Sequence, residues 1–528
     1  MPVILLAEPH ILSTINSENE YCMVSLPVIL IRNKEFSLNR ATITNVSILL
    51  ALISISSLIS TPAFAAEKAV NKDELTDKVI QAYGGEKLSQ ITSLSVSDRY
   101  KIFSIDQGAN PEVNDVSRLN SILNVDFESG KKSVKSWRKS SNGNRLSEIL
   151  FDGETGWSIN HLRGTHVENN ALTTDVVGAG MMRMVDTILA LRLQKHRNTA
   201  KLISHGLIAG KSIYTLSFKA GNKRSYYLDI DAASGLILRM SQSENFINGS
   251  VYEFGNHKVV QGLTFATDMN MLVKGKPSFI TLSRSIEVNK VNQQVFSIPK
   301  GSIKLKGMID SSTMTVQKLA DDVYLAGKNT NFSIFVDAGD YLVGGGGLSG
   351  LNKRLDAVNQ FLGTNKSIEV QVIPDHHRGH LGAIKELEDL GSSIVIAAEH
   401  RNIIESLISN ESQQNEFISI NKKMTLAKGL VEVYDISTVH SKNYLLFYVP
   451  SAKLVFSADH FGTNLIDALP SANNTTKTFY DEIERLGIPV DKYASSHGPR
   501  ILSAADMQTV LSGYQVKSCI PGHNICID

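Results

Sequence analysis

Asp375, His376, His377 and His380 put one carboxylate and three imidazoles into six residues. The stretch from Ser367 to Ile373 alternates and ends in apolar β-formers, so the cluster falls at a strand end. Beyond it, Ala383, Ile384, Leu387 and Leu390 repeat at three- and four-residue spacing, which is helical. Neutral imidazole and carboxylate are the ligands divalent zinc takes in catalytic sites, and a strand-to-helix loop lets several converge on one point. Packing explains three histidines at this spacing poorly. Two readings are open: a metal or catalytic centre, or an inherited loop that binds nothing.

The run Ile373-Pro374-Asp375-His376-His377-Arg378-Gly379-His380-Leu381-Gly382 resembles the signature of the metallo-β-lactamase superfamily, a strand-end His-x-His-x-Asp-His before a small-residue helix start. Aligned on His380-Leu381-Gly382, its second and last histidines match His377 and His380. Asp375 stands where the first histidine is expected, and Gly379 where the aspartate is expected. Three later segments follow in the family's order. Val439-His440-Ser441 resembles the third histidine, Phe456-Ser457-Ala458-Asp459-His460 the strand ending in the metal-bridging aspartate, and Ser495-Ser496-His497-Gly498-Pro499 the terminal histidine-glycine loop. Leu319 to Tyr324 and Asn331 to Val343 resemble the opening hairpins. The resemblance covers about Thr313 to Arg500.

That resemblance implies an αββα sandwich and a zinc-dependent hydrolase. Carried over by position, one metal takes Asp375, His377 and His440, the other takes His380 and His497, and Asp459 lies between them. The catalytic work then falls to Asp459, His377 and His380. Zinc would make water acidic enough near neutral pH to attack an ester, an amide or a phosphoester. Asp375 still offers an oxygen ligand, but its charge weakens the Lewis acid. Gly379 offers nothing, so one well-held zinc is expected beside a weak or empty second position, with His376 or His460 as possible replacements. His400 reads first as exposed decoration and second as a support behind the site. Lys442 and Tyr444 are candidate substrate contacts. Gly344 to Gly347 read as a tight turn between strands, because no Lys-Ser/Thr follows to make a phosphate loop.

The chain before this half reads differently. Leu75, Val79, Ile80 and Tyr83 share one helical face over Asp73 to Tyr83, which breaks at Gly84-Gly85, and a short helix follows over Glu86 to Ile91. Strands are expected over Leu94 to Ile105, Leu119 to Phe127, Ser133 to Lys139 and Arg145 to Asn160. One helix is expected over Asp175 to Lys195, then strands from Lys201 to about Val295, including a hairpin over Tyr226 to Arg239. The Tyr83-Gly84-Gly85 entry, Phe151-Asp152-Gly153-Glu154-Thr155-Gly156-Trp157 and that hairpin resemble the periplasmic lipoprotein-carrier half-barrels, in which a concave face holds acyl chains. Met181, Met182, Met184, Ile188 and Leu189 are then either ordinary core, the first reading, or the lining of such a groove.

The expected architecture is α+β. A leader over 1–65 precedes an N-terminal antiparallel β half-barrel with helices over 66–305, and an αββα sandwich occupies 313–528. A chain of 528 residues is too long for one core. Its formal charge of +1 gives no basic excess for nucleic acid. Val46 to Ile59 is apolar, follows Arg32, Lys34 and Arg40, and precedes Ala63-Phe64-Ala65, which fits signal-peptidase cleavage after Ala65. A leader this long would be accounted for by a translation start near residue 37. The apolar run is shorter than the roughly 20 residues a span needs, so no membrane span is expected after cleavage. Cys519 and Cys526 remain in the mature chain, and an even pair in an exported protein is most simply a disulfide. Two functions stay open. One is an exported zinc hydrolase acting on a small hydrophobic or lipid-like substrate; the other is a non-catalytic periplasmic binding or scaffold protein that keeps the fold.

The exported protein is expected to begin at Ala66, with Cys519 bonded to Cys526. N-terminal sequencing and non-reducing peptide mapping of periplasmic protein check both; an intact leader in the membrane fraction, or two free thiols, contradicts them.

Overall fold

Asn71 accepts hydrogen bonds from the N–H groups of Asp73 and Glu74 at 2.9 Å, a capping arrangement that starts the first helix, α1 (Lys72–Ala82). The computed structural model describes residues 70–220, 224–244, 246, 249–406 and 416–514, with the backbone of two short strands near the C-terminus. The leader and its cleavage motif lie outside the described residues.

Alternating burial then marks a meander of six strands: β1 (Ser93–Ser104), β2 (Asp115–Asp126), β3 (Lys132–Ser140), β4 (Gly143–Phe151), β5 (Gly156–Asn160) and β6 (Thr165–Glu168). After two helices, α2 (Ala179–Met182) and α3 (Asp186–Lys195), a second meander runs through β7 (Lys201–Ile208), β8 (Lys211–Ala220), β9 (Arg224–Asp231), β10 (Ile237–Ser241), β11 (Ser250–Val260), β12 (Leu263–Val273) and β13 (Lys276–Val288). β13 returns to pair with β1, joining the meanders into one sheet, and β14 (Ile303–Lys304) adds to it in parallel beside β6.

Two expectations are corrected here. The single strand over Arg145 to Asn160 is β4 and β5, because the Asp152 carboxylate accepts from the N–H groups of Glu154 and Thr155 and folds the chain back. The single helix over Asp175 to Lys195 breaks at Arg183–Val185. There the buried Asp186 carboxylate takes hydrogen bonds from Tyr83 Oη at 2.8 Å and Ala266 N at 3.0 Å, which fixes the start of α3.

The seam between the meanders is held by charge. Asp98 on β1 faces Arg284 on β13, with Nε–Oδ1 at 2.7 Å and Nη2–Oδ2 at 3.0 Å, and both side chains are essentially unexposed. Arg284 also donates to the carbonyls of Met184 and Ala266, so it ties the α2–α3 break to the sheet. Beside this seam lies a cavity of about 680 Å³, within the usual range of small-molecule sites. Met181, Met182, Met184 and Ile188 line it, whereas Leu189 packs in the core, so the methionine segment serves both purposes. Leu305, Met308, Asn464 and Leu465 complete the wall from the other half of the chain.

The second half is two sheets between helices. One sheet orders β15 (Thr315–Ala320), β16 (Val323–Lys328), β17 (Asn331–Asp337), β18 (Leu342–Gly345), β19 (Ile368–Val372), β20 (Ser393–Ala397) and β21 (Phe417–Ile420). The other orders β22 (Lys423–Leu426), β23 (Val431–Ile436), β24 (Tyr444–Val449), β25 (Leu454–Ser457), β26 (Lys492–Ser495) and β27 (Gly498–Ser503). Leu325, Ile334, Val343 and Val395 of the first sheet pack against Val433, Leu445, Phe447 and Phe456 of the second. Helices α4 (Leu351–Leu362), α5 (Ile384–Leu390) and α6 (Arg401–Glu405) cover the outer face of the first sheet, and α7 (Asn474–Leu486) and α8 (Ala504–Ser512) cover that of the second. The layers are therefore αββα.

Gly344 and Gly345 are not a turn but the end of β18. A Cβ on Gly344 would stand 2.0 Å from Gln371 Oε1, and one on Gly347 would stand 1.7 Å from the His380 carbonyl. The glycines let the histidine loop lie against the strand. Near the C-terminus β28 (Cys519–Ile520) pairs with β29 (Ile525–Cys526), setting Cys519 opposite Cys526. No helix among the described residues is long and apolar enough to cross a membrane.

Arg284→Met should lower unfolding stability by ~3–5 kcal/mol, because it leaves Asp98 buried without its cation. Urea denaturation of the two proteins checks this; a loss below about 1 kcal/mol would show that the seam does not depend on the pair.

Candidate metal centre

Four strand ends meet at one rim of the sandwich. β19 leads into Asp375, β23 into His440, β25 into Asp459 and β26 into His497. Local hydrogen bonds fix each loop. The Asp375 carboxylate accepts from His377 N at 3.0 Å, and Thr438 Oγ1 accepts from His440 N at 3.2 Å. The Pro374 carbonyl takes Leu445 N at 2.7 Å, tying the loop after β19 to the start of β24.

Asp375, His377, His440 and Asp459 each offer one ligand atom, all within 4.8 Å of one another. His377 Nδ1 lies 3.0 Å from His440 Nε2 and 3.2 Å from Asp375 Oδ2. His440 Nε2 lies 3.5 Å from Asp375 Oδ2 and 3.0 Å from Asp459 Oδ2. Ligands about 2.0–2.1 Å from a tetrahedral zinc stand about 3.3 Å from one another. Asp375 Oδ2 is also buried with no hydrogen-bond partner, and such an orphan calls for an explanation of this kind. The donor set and its spacing fit a zinc ion.

All six expected residues lie in one cluster. Asp459 stands with Asp375, His377 and His440, and it also contacts His380 and His497. His380 bonds both carboxylates, Nδ1 to Asp375 Oδ1 at 2.6 Å and Nε2 to Asp459 Oδ2 at 3.0 Å. His497 Nε2 reaches Asp459 Oδ1 at 2.5 Å, and its Nδ1 lies 3.1 Å from the Thr330 carbonyl.

Charge governs this cluster. Burial pushes the Asp375 carboxyl up, but the imidazoles of His377 and His380 outweigh it and hold the group well below the usual range. For Asp459 burial is likewise outweighed, by His380 and by hydrogen bonds from His380, His440 and His497. Burial opposes protonation of His380, yet Asp375 and Asp459 hold its pKa well above the ordinary value. His377 is raised in the same way, by Asp375 against burial.

Several expected roles move. His376 faces His400, with Nδ1 and Nε2 3.2 Å apart, and burial beside His377 lowers it to about 3. His400 is buried, not exposed decoration, and stands behind the histidine loop. His460 is no replacement ligand: Ser457 Oγ and Thr438 Oγ1 take its nitrogens at 2.8 and 3.2 Å, and its ring stacks on Phe479. Tyr444 is fully buried and accepts from Ala458 N at 2.7 Å, so it shapes the loop to Asp459 instead of meeting substrate. Lys442 is exposed. Gly379 is exposed, its φ lies outside the left-handed region, and nothing stands within 4 Å of an added Cβ, so aspartate fits there without strain. One contact had no signal in the sequence: the Gly108 carbonyl, from the β1–β2 connection, lies 3.0 Å from His377 Nε2.

No family model matches this sequence, and no curated protein matches it. Solved structures similar to it include the DIM-1 metallo-beta-lactamase, at 14% identity and a TM-score of 0.30, over 39% of this chain and 97% of that one. The metallo-beta-lactamase from Pontibacter korlensis is similar at 18% identity and 0.31, over 38% and 98%. FIM-1 from Pseudomonas aeruginosa, in its mono-zinc form, is similar at 13% and 0.30, over 39% and 96%.

His377→Ala and His440→Ala should each abolish tight zinc binding in calorimetric titration. Binding by the parent should release protons at pH 7, because the raised His377 gives up its proton to ligate, and affinity should therefore rise with pH. Titrations in buffers of different ionisation enthalpy measure that release. Parent-like binding by either variant, or no proton release, contradicts this site.

Proposed function

We propose that this chain is an exported, zinc-dependent hydrolase of the metallo-β-lactamase superfamily, acting on a hydrophobic, lipid-like substrate presented by its N-terminal half-barrel. The observation that carries the reading is the clustering of ligand atoms from Asp375, His377, His440 and Asp459 within 4.8 Å of one another at strand ends of an αββα sandwich. Zinc held there would supply Lewis acidity and a water-derived nucleophile near neutral pH. The protein's own residues do the rest. His380 holds a proton between the two carboxylates and fixes their orientation. Asp459 and His497 are the partly exposed members, so substrate approaches on their side.

The cavity supports the substrate class. Its walls are largely aliphatic and methionine-rich, and they carry more cations, Lys132, Arg183 and Arg192 among them, than carboxylates, which are Glu148 and Asp175. Lys132 donates to the Thr174 carbonyl and has the Asp175 carboxylate near it, Arg183 donates to the Gln242 amide oxygen and Arg192 to the Tyr226 hydroxyl. An apolar pocket with an excess of cations over carboxylates suits an amphipathic anion. The loop that carries Asp459 runs on to Asn464 and Leu465 in the cavity wall, with Thr463 N bonded to the His497 carbonyl at 3.1 Å. The second reading, a zinc-binding scaffold without turnover, is favoured by Gly379, which supplies no carboxylate for a second metal.

Zinc-loaded protein should hydrolyse p-nitrophenyl laurate faster than p-nitrophenyl acetate, and His440→Ala should lower the rate by more than about 100-fold. A dansylated undecanoic acid should bind the cavity, and Arg183→Ala with Arg192→Ala should weaken it about 10-fold or more, as loss of a charge-assisted bond worth ~1.5–3 kcal/mol requires. Zinc binding without turnover of esters, amides or phosphodiesters would replace the hydrolase with the scaffold.

A further inference from the structure

We infer that the β1–β2 loop of the N-terminal domain is a built-in part of the zinc site: the Gly108 carbonyl fixes the tautomer of His377 so that Nδ1 faces the other ligands. The inference rests on the zinc reading and adds to it a positioning group from the other domain. A carbonyl only accepts, so at 3.0 Å His377 Nε2 must carry a proton and donate. In a neutral imidazole the remaining nitrogen is then unprotonated and free to ligate. That nitrogen is Nδ1, the atom 3.0 Å from His440 Nε2 and 3.2 Å from Asp375 Oδ2. Ligating histidines gain both orientation and basicity when their other N–H is held by a carbonyl.

The next residue acts on the other histidine loop. The Ala109 carbonyl accepts from Lys442 N at 2.9 Å, two residues after His440. Consecutive carbonyls of one loop therefore grip the segments that supply both imidazoles of the four-ligand set. The loop is shaped to do this. Val113 N bonds the Asn110 carbonyl at 3.2 Å, and Gly108 is buried so tightly that an added Cβ would stand 1.6 Å from the Val113 carbonyl. Any side chain at 108 must open the turn and shift the carbonyl.

The test is zinc affinity of the full chain, by calorimetry, in three variants beside the parent. Gly108→Ala disturbs the carbonyl. The second variant replaces residues 105–114 with Asn-Gly; because Ser104 and Asp115 are directly paired, that two-residue turn closes the hairpin and preserves the sheet. Glu112→Ala alters an exposed side chain of the same loop and leaves the carbonyls in place. The first two should bind zinc about 10- to 100-fold more weakly, with Glu112→Ala at the parent value. Long-range 1H–15N correlation of the zinc-loaded parent should show His377 protonated at Nε2. If Gly108→Ala fails to fold, the Asn-Gly variant decides. Parent-like affinity in the variant lacking the loop, or His377 protonated at Nδ1, overturns the inference while leaving the zinc site standing. A parent that binds zinc no better than His377→Ala overturns both.

Discussion

Two carboxylates, the buried Asp375 and the largely covered Asp459, lie at the rim of one sandwich, and the site follows from what keeps them ionised there. An isolated buried carboxylate is untenable; it must be paired, hydrogen-bonded or neutralised. Here four imidazoles surround the pair, and they hold both carboxyls below their ordinary range despite burial. The same attraction raises His377 and His380. Protons shared through this cluster and a dication bound in it do the same electrostatic work. His380 matters on this account even though it lies outside the four-ligand set, because it neutralises both carboxylates at once.

The sandwich does not complete its own site. β14 pairs with β6 of the large sheet, Met308 bridges to Leu465, and Ile309 N bonds the Asn464 carbonyl at 2.8 Å. These contacts hold the loop after Asp459 against the cavity of the other half. From the opposite side the β1–β2 loop meets His377 and Lys442. The cavity and the candidate metal centre thus share a wall, which is the physical basis for reading them as parts of one device.

What was legible in the sequence was what depends on local pattern. The strand end after an apolar run placed Asp375, the resemblance to a family's ordered motifs placed His440, Asp459 and His497, and periodicity located α1 and most strands. Features set by long-range packing were not. The break before α3 exists because Asp186 meets Ala266 across the sheet, and no spacing announces that. His400, His460 and Tyr444 were misplaced because residue type does not reveal whether a polar side chain is buried and satisfied. Gly344 to Gly347 looked like a turn because a close approach between strand and loop leaves the same composition. Gly108 lies far from His377 in the chain, and only the fold brings them together.

The central claim is that Asp375, His377, His440 and Asp459 hold one zinc ion. Anomalous diffraction from crystals of the zinc-reconstituted protein, recorded on both sides of the zinc absorption edge, tests it most directly. The account predicts a single strong peak enclosed by those four side chains. A map with no peak there, or with zinc bound only elsewhere, would contradict it.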